Sequence, residues 1–268
     1  MTRAGLAAAF LATLAASWLW SGPAQAGDVD ILLVLAADVS RSIDAGEFEL
    51  QRKGYAAALA DPRVLKAITE GPHRAIAVTY IEWSDTLDQQ VVVDWTTIGN
   101  GEDAAAVGAE ILKAPRSFAS RTSISGAIYF AMGRLSATKI ATDKRIIDIS
   151  GDGTNNSGPA VDEARDQAVG GGITINALAI INTQAGPGFL MHTQPPGGLP
   201  EYFRQNVIGG PGAFLLQVEN FGTFAEAMTR KLVSEIAAAP QSVPGLVTAL
   251  AASSPMHPAP SPSGSRNR

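Results

Sequence analysis

Residues 30–37, DILLVLAA, run directly into residues 38–42, DVSRS, and the fold turns on this junction. The apolar run shows no alternation of faces, so it is expected as a strand buried on both sides, as in a parallel sheet covered by helices. At its carboxyl end Asp38, Ser40 and Ser42 set oxygen-bearing side chains at alternate positions, where the chain turns towards the next element.

Outward from the junction, strands and helices alternate. Asp44 and Glu47, at capping-box spacing, open a helix over residues 44–60. Residues 74–83 (RAIAVTYIEW) and 90–95 (QVVVDW) predict a strand pair joined by the polar turn 84–89. Helices are expected over 102–114, 123–135 and 159–169, with a short strand over 145–150 (RIIDIS). Gly170-Gly171-Gly172 stops the last of these helices before a buried strand over 173–181. A Pro- and Gly-rich segment, 182–212, carries a short helix near 199–207, and a strand over 213–218 and an amphipathic helix over 221–238 close the domain. This order implies an α/β, Rossmann-like fold: a mostly parallel central sheet with one antiparallel edge strand and helices on both faces. Ligands in such sheets bind beyond the carboxyl ends of the strands, where the strand order reverses.

Composition narrows the function classes. The 268 residues contain no cysteine, which removes disulfides, thiolate metal sites and cysteine nucleophiles. A formal charge of −5 supplies no basic field for nucleic acid and argues against docking on anionic lipid. The N-terminus has the form of an export signal. Arg3 precedes an apolar run over 4–20, and Ala24-Gln25-Ala26 is a small-x-small cleavage site. Cleavage after Ala26 is expected, with an uncleaved membrane anchor as the alternative that the length of the run permits. The domain then covers 27–239 and a Pro/Ser/Ala-rich disordered tail 240–268, and the cleaved product is a periplasmic or secreted monomer not inserted in the membrane.

Two further loops bear on the chemistry. Asp152, in Gly151-Asp152-Gly153-Thr154-Asn155-Asn156, stands at the end of the RIIDIS strand, and Thr122 lies just ahead of a helix. Asp38, Ser40, Ser42, Thr122 and Asp152 form an all-oxygen, hard ligand set suited to Mg²⁺, with Mn²⁺ or Ca²⁺ as alternatives, and offer nothing soft for Zn²⁺ or Cu²⁺. So few charges leave a coordination position for an outside carboxylate.

Asp-x-Ser-x-Ser after a first apolar strand, a later Thr before a helix and an Asp-Gly after the next strand resemble the von Willebrand factor A domain over residues 28–238. More narrowly, the Trp83-Ser84-Asp85 turn and the Val207-Ile208-Gly209-Gly210-Pro211-Gly212 segment look like an uncharacterised bacterial exported branch of that superfamily. The resemblance implies a metal-ion-dependent adhesion site (MIDAS). In it Ser40, Ser42 and, in the ligand-competent state, Thr122 bind the ion directly, while Asp38 and Asp152 act mainly through water. The implied function is metal-dependent binding of a protein partner through an exposed acidic residue, without catalysis. One departure is Ser120-Arg121 before Thr122, where the family usually has glycine.

Two rival readings remain. Lys144 followed by a strand ending in Gly-Asp-Gly resembles the late motifs of haloacid dehalogenase-type phosphatases, with Asp38 as nucleophile. That family wants a second Asp where Ser40 stands, and another where Asn156 stands. The second rival is a scaffold whose metal only steadies the loops. Asp85, Arg121, His192 and Tyr202 are candidates for a ligand rim. His73 and His257 read as solvated, and the Asn155-Asn156-Ser157 sequon as accidental.

Overall fold

A computed structural model describes residues 28–181 and 195–237. The expected export signal, the tail beyond residue 240 and His192 lie outside the described residues.

Among the described residues, six strands form one sheet in the order β3-β2-β1-β4-β5-β6. The strands are β1 (Leu32–Asp38), β2 (Ile76–Trp83), β3 (Gln89–Ile98), β4 (Arg145–Gly151), β5 (Ile173–Ile180) and β6 (Leu215–Val218). All neighbours run parallel except β3, which pairs antiparallel with β2 at one edge, as the hairpin-like pair implied. From β1 the chain builds outward through β2 and β3, then crosses to β4 on the other side of β1. The strand order therefore reverses between β1 and β4, and loops leaving their carboxyl ends face a common crevice.

β1 explains why its sequence shows no period of two. Ile31, Leu33, Leu35 and Ala37 enter one apolar cluster, and Leu32, Val34 and Ala36 enter a second on the opposite face. The first face is covered by α1 (Ala45–Leu59), α2 (Pro62–Glu70), α3 (Gly101–Lys113) and α7 (Phe224–Ala237). The second is covered by α4 (Ile124–Ala137), α5 (Val161–Gly170) and α6 (Gly198–Asn206). Each fully buried Leu or Ile contributes roughly 1.5–3 kcal/mol.

Local chemistry sets the ends. The expected capping box forms: the Asp44 side chain accepts from Glu47 N–H at 2.8 Å, and the Glu47 side chain accepts from Asp44 N–H at 2.9 Å. α2 is an addition to the elements expected from sequence. Asp61 caps it, Pro62 occupies its first turn, and it buries only Val64 and Ile68. The last helix is preceded by a 3-10 turn, Phe221–Thr223, so α7 starts at Phe224.

Gly54, inside α1, marks the closest approach of α1 and α7. A Cβ there would lie 2.4 Å from Cδ1 of the fully buried Phe224 ring. At an open helical position Gly→Ala stabilises. Gly54→Ala is instead expected to destabilise by about 1–3 kcal/mol through overpacking, read as a lower urea midpoint. A neutral or stabilising result would mean that the α1–α7 contact is looser than described.

Two buried ion clusters interrupt the first face. Arg52 pairs with Glu82 at 2.7 Å, both essentially inaccessible. Deeper in the same layer, Lys231 of α7 reaches Asp148 of β4 at 2.7 Å and Glu235 at 2.6 Å, all three fully or almost fully buried.

Candidate metal centre

The crevice between β1 and β4 gathers the oxygen-bearing side chains. β1 ends at Asp38, whose neighbour Val39 donates its N–H to Trp83 O of β2 at 2.9 Å. The next residues turn back over the strand end, and Ser40 N–H donates to Asp38 Oδ1 at 2.7 Å. Ser40 Oγ and Ser42 Oγ lie 3.1 Å apart, and Ser42 Oγ donates to Asp152 Oδ1 at 2.8 Å. Asp38, Ser40, Ser42 and Asp152 are thus joined in one continuous polar chain, although Ser42 and Asp152 lie 110 residues apart. Small residues make the approach possible: a Cβ on Gly151 would sit 3.1 Å from Asp38 Oδ2.

Thr122 comes to the same place by a different route. Its N–H donates to Asn156 Oδ1 at 3.0 Å, and Asn156 N–H donates to Thr122 O at 2.8 Å, which fixes its loop against the Asp152 loop. A Cβ on Gly153 would lie 3.6 Å from Thr122 Oγ1. The five residues expected from sequence are therefore brought together. Asp38, Ser40, Thr122 and Asp152 are at most 5% exposed, and Ser42 is half-buried.

Charge inside this cluster is unbalanced. Asp38 is completely buried, and burial first, then the neighbouring Asp152 carboxylate, pushes its pKa up to about 8; hydrogen bonding from Ser40 and from the Asp152 backbone opposes this. Among the described residues its buried Oδ2 has no donor at full hydrogen-bonding geometry. Among the described residues no three His, Asp or Glu side chains gather anywhere as a metal cage, so a hard cation here would rest on two carboxylates and hydroxyls. That donor set fits Mg²⁺, Mn²⁺ or Ca²⁺. A buried oxygen lacking a donor at full geometry and two mutually repelling acids are what a divalent cation would relieve.

The supporting shell includes residues to which sequence reasoning gave no role. Arg116 donates from one guanidinium nitrogen to Val39 O at 2.9 Å, Ser40 O at 3.2 Å and Ile43 O at 2.9 Å, gripping the loop that carries Ser40 and Ser42. Phe48 lies between its guanidinium (5.0 Å from the ring centroid) and that of Arg52 (4.3 Å). Asn155 Oδ1 accepts from Ser125 N–H at 3.1 Å and its Nδ2 donates to Pro159 O at 3.0 Å, so the sequon asparagine is engaged inside the loop. Position in an Asp-Gly loop was a usable signal for Asn155 and Asn156. Arg116 carried none, because only the tertiary approach of its loop defines its partners.

The rim candidates divide. Asp85 follows β2, which runs parallel to β1, and so stands beside the metal loops. Its carboxyl accepts from Ser157, Thr86 N–H and Ser120, bonds that hold its pKa below the usual range with Ser157 contributing most. Asp85 therefore ties the Thr122 and Asp152 loops together. Tyr202, half-buried on α6, accepts Asn155 N–H at 3.1 Å and steadies the Asp152 loop from outside. Arg121 is exposed beside Thr122. Trp83, read from sequence as core or rim, is completely buried.

Lys144 bears on the phosphatase reading. It precedes β4, whose far end leads to Asp152, and its Nζ donates to Glu235 O of α7 at 2.6 Å. The strand separates it from Asp38 by roughly 20 Å at about 3.3 Å per residue, too far to share a phosphate with it.

The family described as "Protein of unknown function (DUF1194)" matches residues 28–240. No curated protein matches the sequence. Among solved structures, the chain is similar to the pilus adhesin SpaC from Lactobacillus rhamnosus GG, with 14% identity and a TM-score of 0.54 over 77% of this chain and 30% of that one. It is also similar to the von Willebrand factor type A structure from Catenulispora acidiphila, with 16% identity and a TM-score of 0.52 over 78% and 43%. A third is proximal thread matrix protein 1 from the mussel byssus with a zinc-occupied MIDAS motif, with 14% identity and a TM-score of 0.51 over 77% and 46%. The chain spans less than half the length of each. At these identities the likeness is one of fold, and the fold is that of a von Willebrand factor A domain.

Proposed function

The chain belongs to the DUF1194 family, and from that premise we propose that it is an exported binding module dependent on a divalent cation. Asp38, Ser40, Ser42, Thr122 and Asp152 would hold the ion, Mg²⁺ ahead of Mn²⁺ or Ca²⁺, and an acidic group of a protein partner would complete its coordination. The observation that carries this reading is the buried Asp38–Asp152 pair, with Asp38 Oδ2 lacking a donor at full hydrogen-bonding geometry and with hydroxyls at its side. The ion would supply positive charge that both the carboxylates and a partner acid can share. The residues of the chain do the rest. Arg116 and the Asn156–Thr122 pair hold the loops in place. A zinc-occupied MIDAS motif in a protein of the same fold supports the placement. Export is proposed from the N-terminal signal, with the domain over 27–239 and the tail over 240–268. No bond-breaking step is proposed.

Proton linkage gives a sharp test. Asp38, with its pKa raised, keeps a proton near neutrality when no cation is present, and a cation must displace it. Mg²⁺ or Mn²⁺ affinity should therefore climb by up to about tenfold per pH unit below pH 8, then level off. Calorimetry in buffers of different ionisation enthalpy should find close to one proton released per ion. Affinity independent of pH, or no binding, overturns the site.

Partner binding is tested by pull-down from an envelope extract with and without chelator. A binding module releases its partner when the ion is removed. A scaffold with a structural ion loses stability in chelator but releases nothing.

A further inference from the structure

Beside the two buried carboxylates the loops expose two arginines. Arg41, between the two serines of the metal loop, donates its N–H to Ser120 O at 2.9 Å, which places it beside Arg121. Both arginine side chains are exposed, and neither makes an ion pair or a side-chain hydrogen bond among the described residues. Several other bases of this acidic chain sit against acids, while the exposed Arg74, Lys139 and Arg230 make no ion pair among the described residues. Arg63 lies between Asp61 and Glu226, Arg134 pairs with Asp94, Lys53 with Glu49 and Arg204 with Glu201. Asp38 and Asp152 make no ion pair with the two arginines among the described residues and are buried, and the Asp85 carboxyl is engaged by Ser157, Thr86 N–H and Ser120.

From this arrangement we infer that Arg41 and Arg121 form a second anion subsite beside the metal centre. The partner segment it fits carries two neighbouring carboxylates, one for the ion and one for the arginines. The inference rests on the proposed metal-dependent binding. A single carboxylate is matched by the ion alone. Two exposed guanidinium groups on adjoining loops add positive charge that a lone acid does not balance, and guanidinium forks pair with carboxylates through charge-assisted hydrogen bonds. The same pair places positive charge near the cation, which lowers metal affinity until an acidic ligand arrives. Specificity for a diacidic segment and weak cation binding without it then share one origin.

The test uses the full chain and its Arg41→Gln/Arg121→Gln variant, whose exposed side chains leave folding contacts intact. Mn²⁺ binding is followed by electron paramagnetic resonance. Fluorescent peptides carrying one Asp in a Gly/Ser context are compared with peptides carrying a second Asp one or two residues away, by polarisation at saturating Mg²⁺. The wild type should prefer the diacidic peptides by about tenfold, and the variant should lose that preference while binding Mn²⁺ as tightly or more tightly. If Mn²⁺ binds but the wild type shows no preference, or the variant keeps it, the arginine subsite is wrong and the metal reading stands. If the wild type binds no Mn²⁺, the metal reading fails and the inference falls with it.

Discussion

Asp38→Asn is expected to weaken Mg²⁺ or Mn²⁺ binding by about 10–100-fold while leaving the metal-free domain at least as stable as the wild type at pH 8. The carbonyl oxygen of Asn can still accept the Ser40 N–H that Asp38 Oδ1 now takes at 2.7 Å. Its amide replaces a buried carboxylate oxygen that has no donor at full hydrogen-bonding geometry and faces a second acid. The sign follows from linkage. Asp38 has its pKa raised on folding, so its favourable contribution is complete below the unfolded-state pKa of about 4 and is lost as pH rises through about 8. A neutral side chain at 38 removes that loss. Calorimetry for the ion and urea denaturation at pH 6 and pH 8 check both halves. Metal binding within threefold of wild type would remove Asp38 from the site.

Lys231→Met should produce the largest loss of stability in the molecule. It removes the cation that touches both Asp148 and Glu235, with almost no solvent access to any of the three. Breaking a buried pair while leaving its acids in place costs about 3–5 kcal/mol. Burial already raises the Asp148 pKa to about 7, with Glu235 adding to the rise and Lys231 opposing it. Without Lys231 the opposition disappears and the carboxyl pKa rises further. The defect should therefore be greatest near pH 8 and shrink as pH falls towards 5, where Asp148 can fold protonated. Urea unfolding at both pH values measures it. A loss under 1 kcal/mol at pH 8, or one that does not vary with pH, would mean that the cluster is not electrostatically coupled.

These two sites differ in how far sequence revealed them. The metal loops were legible because their chemistry is written at strand ends. Asp38 follows an uninterrupted apolar run and Asp152 follows RIIDIS, so the parallel pairing of β1 with β4 carried both to one crevice. The antiparallel edge was also legible, from the polar turn after Trp83. The Lys231 cluster was not. Asp148 lies in mid-strand among isoleucines, while Lys231 and Glu235 read as the polar face of a surface helix. Only the docking of α7 on β4 turns those positions inward. α2 escaped for a related reason: with two buried side chains its apolar stripe is short, and its marker was the local pair Asp61-Pro62. Arg116 grips three carbonyls of a distant loop, a role that no spacing in one dimension encodes.

The parallel sheet also gives the molecule a direction. The oxygen cluster occupies the pole where β1 and β4 end. The described chain enters at the opposite pole, where Asp28 N–H donates to Ala141 O ahead of β4. It leaves there as well: Ile236 and Ala237 line a groove with Gly71 and Pro72, just before β2 begins. Both points of attachment therefore lie behind the site. A surface, a bead or a neighbouring domain joined at either end would hold the domain like a cup by its base, with the opening turned outward to whatever approaches.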